Sequence, residues 1–242
     1  REPAAIRKFK MLRGLYPPLD EERIRVARAA YFGLCEYFDT LAGRVLQTLA
    51  DTGLAENTLV IYCSDHGEMA GEHGCWWKSN YYEGSVGVPL IASMPGAIPE
   101  GSSNDSVCNL MDIGPTFTEV ADAPPLHRVD GASLWSQMTG SATDVRTETH
   151  SEHLGQEGVP SRMVRSGPWK YYEYHDATPP VLFNLDEDPG ELNDLGKSAD
   201  HESIRVSLAE KLHDGWDPNF VLAETDRMDQ NLRLVEGWGR AV

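Results

Sequence analysis

Only four cysteines, Cys35, Cys63, Cys75 and Cys108, occur in the 242 residues, and no two of them form a C-x-x-C pair. That spacing excludes a small secreted fold stapled by disulfides, in which cysteines come densely. Positive charge is short as well: 21 Lys and Arg against 38 Asp and Glu leave a formal charge of −17. This balance argues against a nucleic-acid partner and against an anionic membrane surface. Long apolar runs are missing, and none approaches the roughly 18–20 residues a membrane span needs. The first residues, REPAAIRKFK, hold neither a methionine nor a signal-like apolar stretch. The expectation is that the true start was removed or that the chain is a piece of something longer, and its compartment stays open. An anionic substrate would have to find its counter-charge in a metal or in a few placed lysines and arginines.

What is present suffices for a folded protein, with 40% hydrophobic and 24% charged residues. Residues 20–52 place Ile24, Ala27, Tyr31, Leu34, Phe38, Leu41, Val45 and Leu49 at alternating steps of three and four, the pattern of one helix face. Asp20 suits the N-cap, Glu21 and Glu22 the first turn, and Gly53 the position just past the end. The pattern predicts a long core-packed helix of about 48 Å. TLVIYC (58–63) and VPLIAS (88–93) read as short buried strands, and MDIGPTFTEVADA (111–123) as a short helix closed before Pro124 and Pro125. The predicted class is α/β: part of a mixed sheet covered by helices on both faces. The polar text TGSATDVRTETH up to residue 150 marks a boundary between residues 1–150 and 151–242. Beyond it, SRMVRSGPWKYYEYH and PVLFNL read as antiparallel strands, HESIRVSLAEKLHDGW as an amphipathic helix, and the tail from Asp217 as another. This second part is expected to be a small α+β C-terminal subdomain with an antiparallel sheet.

Chemistry concentrates directly after the first of those strands. Open α/β sheets gather functional groups past the carboxyl ends of their strands. Asp65 and His66 follow Cys63 there, with Gly67 permitting a sharp exit. An adjacent carboxylate and imidazole can serve a divalent cation, although two ligands are too few for a complete site. They equally suit a strand-end Asp capping a turn beside an incidental histidine. Lys78, in CWWKSNYYE, can bind a tetrahedral oxyanion as a point charge, or lie along the surface. His73, in GEHG, can be a general acid or a plain loop histidine. Glu68 and Glu72 read as solvated or supporting, Trp76 and Trp77 as packing, and His153 as a residue that could approach the pocket from the second module.

At this point the motifs S-D-H-G-E, G-E-H-G, W-x-K and Y-E-G-S-V-G-V-P-L-I resemble the C-terminal half of the sulfatases of the alkaline phosphatase superfamily, including choline-sulfatase-like and phosphonate-monoester-hydrolase-like members. The resemblance continues through MDIGPTFTEVADAP, DGASLWSQMTG, MVRSGPWKYYEY and LFNLDEDPGELNDL, and so covers nearly the whole chain. It implies metal-dependent hydrolysis of sulfate esters, with a phosphonate monoester or phosphodiester as the alternative substrate. It assigns Asp65 and His66 to one divalent metal ion, Ca²⁺ foremost and Mn²⁺ or Zn²⁺ as alternatives. Lys78 takes the sulfate group, and His73 matches a position common in this subgroup. The substrate partner is then a small-molecule sulfate ester. The tail is similar to choline-sulfatase-like C-termini that pack between subunits, which implies a homo-oligomer. Two departures stand out. The family's formylglycine nucleophile arises within C-x-P-x-R, and none of the four cysteines is followed by x-P-x-R. Gly87 also stands where the family often has arginine. The nucleophile is therefore expected in an absent N-terminal half, and these 242 residues alone are expected to be inactive. A non-catalytic remnant used for binding or assembly is the rival of another class.

Overall fold

The computed structural model describes residues 2–142, 146–155 and 158–239, which divide into two compact units, Lys8–Thr147 and Glu148–Val242 together with Arg1–Arg7. Positions 143–145 of the expected boundary, 156–157 of the segment after His153, and 240–242 of the expected tail helix lie outside the described residues.

Helix α1 (Ala4–Leu12) precedes the long helix α2 (Glu21–Asp51). Asp20 caps α2 as its side chain accepts from the Arg23 N–H at 2.9 Å. At the other end Gly53 adopts φ +72°, and Gly53 N–H and Leu54 N–H return to the carbonyls of Ala50 and Leu49. This paired closure satisfies carbonyls the helix would otherwise leave open. The helix forms where its periodicity predicts, but the expected core packing is absent: no residue of α2 is buried, and Phe32 and Leu34 are each 66% exposed. Strands β1 (Val60–Cys63), β2 (Met69–Ala70), β3 (Trp76–Trp77) and β4 (Leu90–Ser93) follow, with helix α3 (Glu83–Val86) before the last. β1 pairs with β4 antiparallel, Cys63 opposite Leu90, and neither strand holds a buried residue. The expected buried strands are thus a half-exposed two-stranded ladder. Apolar runs report what a strand could bury; they do not say that a cover lies within the described residues. A groove of about 710 Å³ lined by Leu46, Leu49, Val60, Ile61 and Phe117 records the same lack of cover.

Helices α4 (Ile113–Val120) and α5 (Trp135–Met138) complete this unit. Its anchor is Asp112, a fully buried carboxylate. Asp112 accepts from the backbone N–H groups of Asn109 (2.8 Å) and Ala132 (2.9 Å), and from both guanidinium nitrogens of Arg146. Burial acts to raise its pKa, but the Arg146 and backbone hydrogen bonds outweigh burial and hold the carboxyl below the usual range.

The second unit is a four-stranded antiparallel meander of β5 (Glu148–Leu154), β6 (Pro160–Ser166), β7 (Trp169–Tyr174) and β8 (Val181–Asn184), followed by α6 (Glu202–His213) and α7 (Pro218–Gly239). Val164, Tyr171 and Leu182 pack with Leu208, Leu212 and Trp216 to form its core. Fully burying one such side chain stabilises by roughly 1.5–3 kcal/mol. Arg162 of β6 donates to the carbonyls of Leu212 (2.7 Å) and Asp214 (2.8 Å), which caps the C-terminus of α6 with a cation. Lys170 and Glu191 form a buried pair at 2.7 Å. Among the described residues, no helix is long and apolar enough to cross a membrane.

Candidate functional site

The turn after β1 is organised by its own backbone. Ser64 Oγ donates to the His66 carbonyl at 2.7 Å, and Gly67 N–H donates to the Ser85 carbonyl at 2.8 Å. Gly67 does not adopt a positive φ, so its role is not the sharp exit expected of it. Close approach is the reason: a Cβ at this position would lie 2.2 Å from the Gly84 carbonyl oxygen. Only glycine lets the Asp65–His66 turn sit against the start of α3. Gly87 is restricted in the same way, since a Cβ there would lie 2.7 Å from the Glu83 carbonyl oxygen. The departure from the family's arginine is therefore built into the local backbone.

His66 Nδ1 lies 2.7 Å from the carbonyl of Gly67, an acceptor only, so Nδ1 carries the proton. Nε2 lies 2.6 Å from Lys78 Nζ, and an ammonium can only donate. The two contacts together assign one tautomer, with the Nε2 lone pair facing Lys78. Asp65 Oδ2 is 3.4 Å from the same Nε2, on a side chain that is 82% exposed. The Gly67 carbonyl thus orients the ring, as metal-bound histidines commonly require, and leaves Nε2 beside the Asp65 carboxylate. An imidazole and a carboxylate are donor types that suit a divalent cation, and two of them are too few for a complete site. Among the described residues, no group of three or more His, Cys, Asp or Glu side chains is placed to hold a metal ion.

Lys78 reaches His66 through the β2–β3 ladder. Met69 pairs with Trp77 and Ala70 with Trp76, so the chain doubles back across the G-E-H-G turn. Extending that register sets Lys78 opposite Glu68, two residues from His66. Arg28 of α2 secures the turn by donating to the Ala70 carbonyl (2.7 Å) and to Glu72 (2.8 Å), while Glu72 accepts from Ala70 N–H (2.6 Å). Glu72 is therefore a support of the turn. Glu68 is half-buried and, after burial itself and Cys35, helps raise the pKa of Tyr31 on α2.

His73 stands at φ 51°, with its ring stacked on Tyr82 at 3.8 Å and 4°. Trp77 and Ser79 also adopt positive φ, so three left-handed non-glycine residues fall within seven positions around Lys78. Each such residue costs on the order of 1–3 kcal/mol, and these costs cluster at functional sites. Asn80 is buried, with Oδ1 accepting from Tyr82 N–H at 3.0 Å and Nδ2 without a hydrogen-bond partner. No sequence pattern announced Asn80 or the left-handed residues. His153 lies on β5, where its carbonyl accepts from Ser161 Oγ.

Residues 7–123 match the sulfatase family, and residues 71–216, more than half of the chain, match the family described as N-sulphoglucosamine sulphohydrolase, C-terminal. The chain belongs to the sulfatase family. This sulfatase chain is 38% identical over 184 residues to choline-sulfatase of Rhizobium meliloti (strain 1021), covering 74% of this chain and 35% of that protein. It is 35% identical over 232 residues to arylsulfatase K of Rattus norvegicus, covering 92% of this chain and 40% of that protein. Among solved structures, phosphonate monoester hydrolase of Agrobacterium radiobacter aligns with a TM-score of 0.70 at 30% identity, over 76% of this chain and 40% of that one. The sulfatase chain thus spans well under half the length of the relatives it matches, and its family hydrolyses sulfate esters.

Proposed function

We propose that this chain carries the cation-and-lysine side of a sulfate ester hydrolase, whose formylglycine nucleophile lies outside these 242 residues. The net reaction is sulfate ester plus water giving alcohol and sulfate. The observation that carries this reading is that His66 Nε2 lies 2.6 Å from Lys78 Nζ and 3.4 Å from Asp65 Oδ2 in a chain of the sulfatase family. Asp65 and His66 would hold one divalent metal ion, Ca²⁺ foremost, which when bound supplies positive charge to the sulfate oxygens. Gly67 orients the His66 ring through its carbonyl. Lys78 donates to the anion as a point charge, a contribution largest where charge develops on the oxygens. His73, backed by Tyr82, is the candidate proton donor to the leaving alkoxide.

In this reading residues 1–150 belong to the main sulfatase domain and 151–242 to its C-terminal subdomain, whose sheet starts three residues before that expected boundary, at Glu148 of β5. The β1–β4 ladder joins a larger mixed sheet that covers the exposed face of α2, consistent with its apolar, uncovered residues. Helix α7, with Phe220, Met228, Leu232 and Val235 exposed, is the surface proposed for contact with a second subunit.

The test is aryl sulfate turnover by a longer protein that contains this chain, beside Lys78→Ala and Asp65→Asn variants and the 242 residues alone. Turnover lost in both variants and absent from the 242 residues supports the reading. Metal-dependent turnover by the 242 residues alone would overturn it. The likeness to phosphonate monoester hydrolase favours a second substrate class, and relative turnover of aryl sulfate and aryl phosphonate separates the two.

A further inference from the structure

We propose that the Lys78 ammonium and a divalent cation compete for one lone pair, that of His66 Nε2, so that a cation binding there releases Lys78 to meet an anion. The inference rests on the proposed role of Asp65 and His66 as cation ligands.

Nε2 is fixed in space. The ring cannot turn without losing the Nδ1–H bond to the Gly67 carbonyl, and Gly67 is held by Ser85 and by its closeness to Gly84. Lys78 Nζ lies 2.6 Å from Nε2. A divalent ion such as zinc bonds an imidazole nitrogen at about 2.0–2.1 Å along the same lone pair. An ammonium and a metal ion at those two distances from one atom would overlap, and their like charges would repel. One must leave. The lysine is the mobile partner, because it is exposed and carried on a flexible four-carbon stem. Asp65, 3.4 Å from Nε2, attracts either cation and so does not choose between them. Exclusion on one lone pair makes cation occupancy and the availability of Lys78 reciprocal. An order of events follows in which the cation arrives first and the freed ammonium then faces the anion.

The experiment titrates Mn²⁺ into the 242-residue chain labelled with [¹⁵N]histidine. Paramagnetic broadening of the His66 ring resonance is followed, with that resonance assigned by its loss in His66→Gln. Lys78→Met and Lys78→Arg are titrated in parallel, in low salt and in 0.5 M KCl. Lys78 is exposed, so both variants should fold. Lys78→Met is expected to tighten the apparent Kd at His66 by about tenfold, equivalent to about 1.4 kcal/mol. Lys78→Arg, which keeps a charged donor, should stay near wild type. A tightening that persists in 0.5 M KCl supports direct competition, because through-space repulsion between exposed charges is screened there. A tightening that vanishes in salt, or equal Kd values in wild type and Lys78→Met, overturns the competition while leaving cation ligation standing. Broadening that fails to select His66 in every variant removes cation ligation itself, and the competition with it.

Discussion

Asp112→Asn tests whether the first unit is held by one buried charge. The carboxylate is 0% exposed and offers two oxygens to four donors: Asn109 N–H and one Arg146 nitrogen on Oδ2, Ala132 N–H and the other on Oδ1. An asparagine keeps one oxygen and replaces the other with an NH₂ group. In either amide orientation, one backbone N–H and one guanidinium N–H then face a donor. Breaking a buried pair from one side costs about 3–5 kcal/mol. The Arg146 side chain is 30% exposed and recovers some hydration, which places the loss near the lower end, about 3 kcal/mol. The assay is urea unfolding with hydrogen exchange followed over residues 107–138. The pH dependence adds a second constraint. The Asp112 pKa is depressed in the folded state, so its stabilisation is present above the unfolded carboxyl pKa of about 3.9 and is lost as pH falls through the folded value. The gap between wild type and Asp112→Asn should therefore shrink in acid. A loss below about 1 kcal/mol at neutral pH, the scale of a surface ion pair, would refute the reasoning.

Three further outcomes follow from the geometry. Gly67→Ala, whose Cβ would meet the Gly84 oxygen, should lose about 1–3 kcal/mol or more in urea unfolding, with the Lys78–His66 contact displaced. Ser79→Gly removes a left-handed non-glycine residue at φ 77° and should raise stability by up to about 1 kcal/mol in the same assay. His150 has its pKa lowered by burial and by Arg162, so its contribution is full above the unfolded histidine pKa of about 6.5 and falls away as pH drops through the folded value. Melting temperatures from pH 7.5 to 5 should therefore fall less steeply in His150→Gln than in wild type.

The ends of α2 were legible because capping is local chemistry: Asp20 and Gly53 announce themselves within a turn. The burial of α2 was not legible, since a stripe of Tyr31, Leu34 and Phe38 shows only which face is apolar. β5 was missed because ETHSEHL is polar and carries no apolar alternation. It exists through its register with β6, His150 opposite Val164 and Glu152 opposite Arg162. At the site, sequence spacing named Asp65, His66 and Lys78 but could not bring them together. Their meeting depends on the short Met69–Ala70 and Trp76–Trp77 pairing, and two residues per strand are too few to give a readable period. The part played by Gly67 was invisible because its reason is a distant carbonyl, not its own φ.

Cys63 and Leu90 are opposite one another in the ladder, so everything from Ser64 to Pro89 is a single excursion closed at its base. Asp65, His66, His73, Lys78 and the strained residues all belong to that excursion. Its two ends are pinned about 5 Å apart, the spacing of paired strands. Lengthening such a closed loop is cheap, about 0.6 kcal/mol for each doubling. The excursion is thus held twice, at its base by the ladder and at its turn by Arg28 of α2, so residues inserted between the two anchors lengthen it at little entropic cost while the ladder keeps its register.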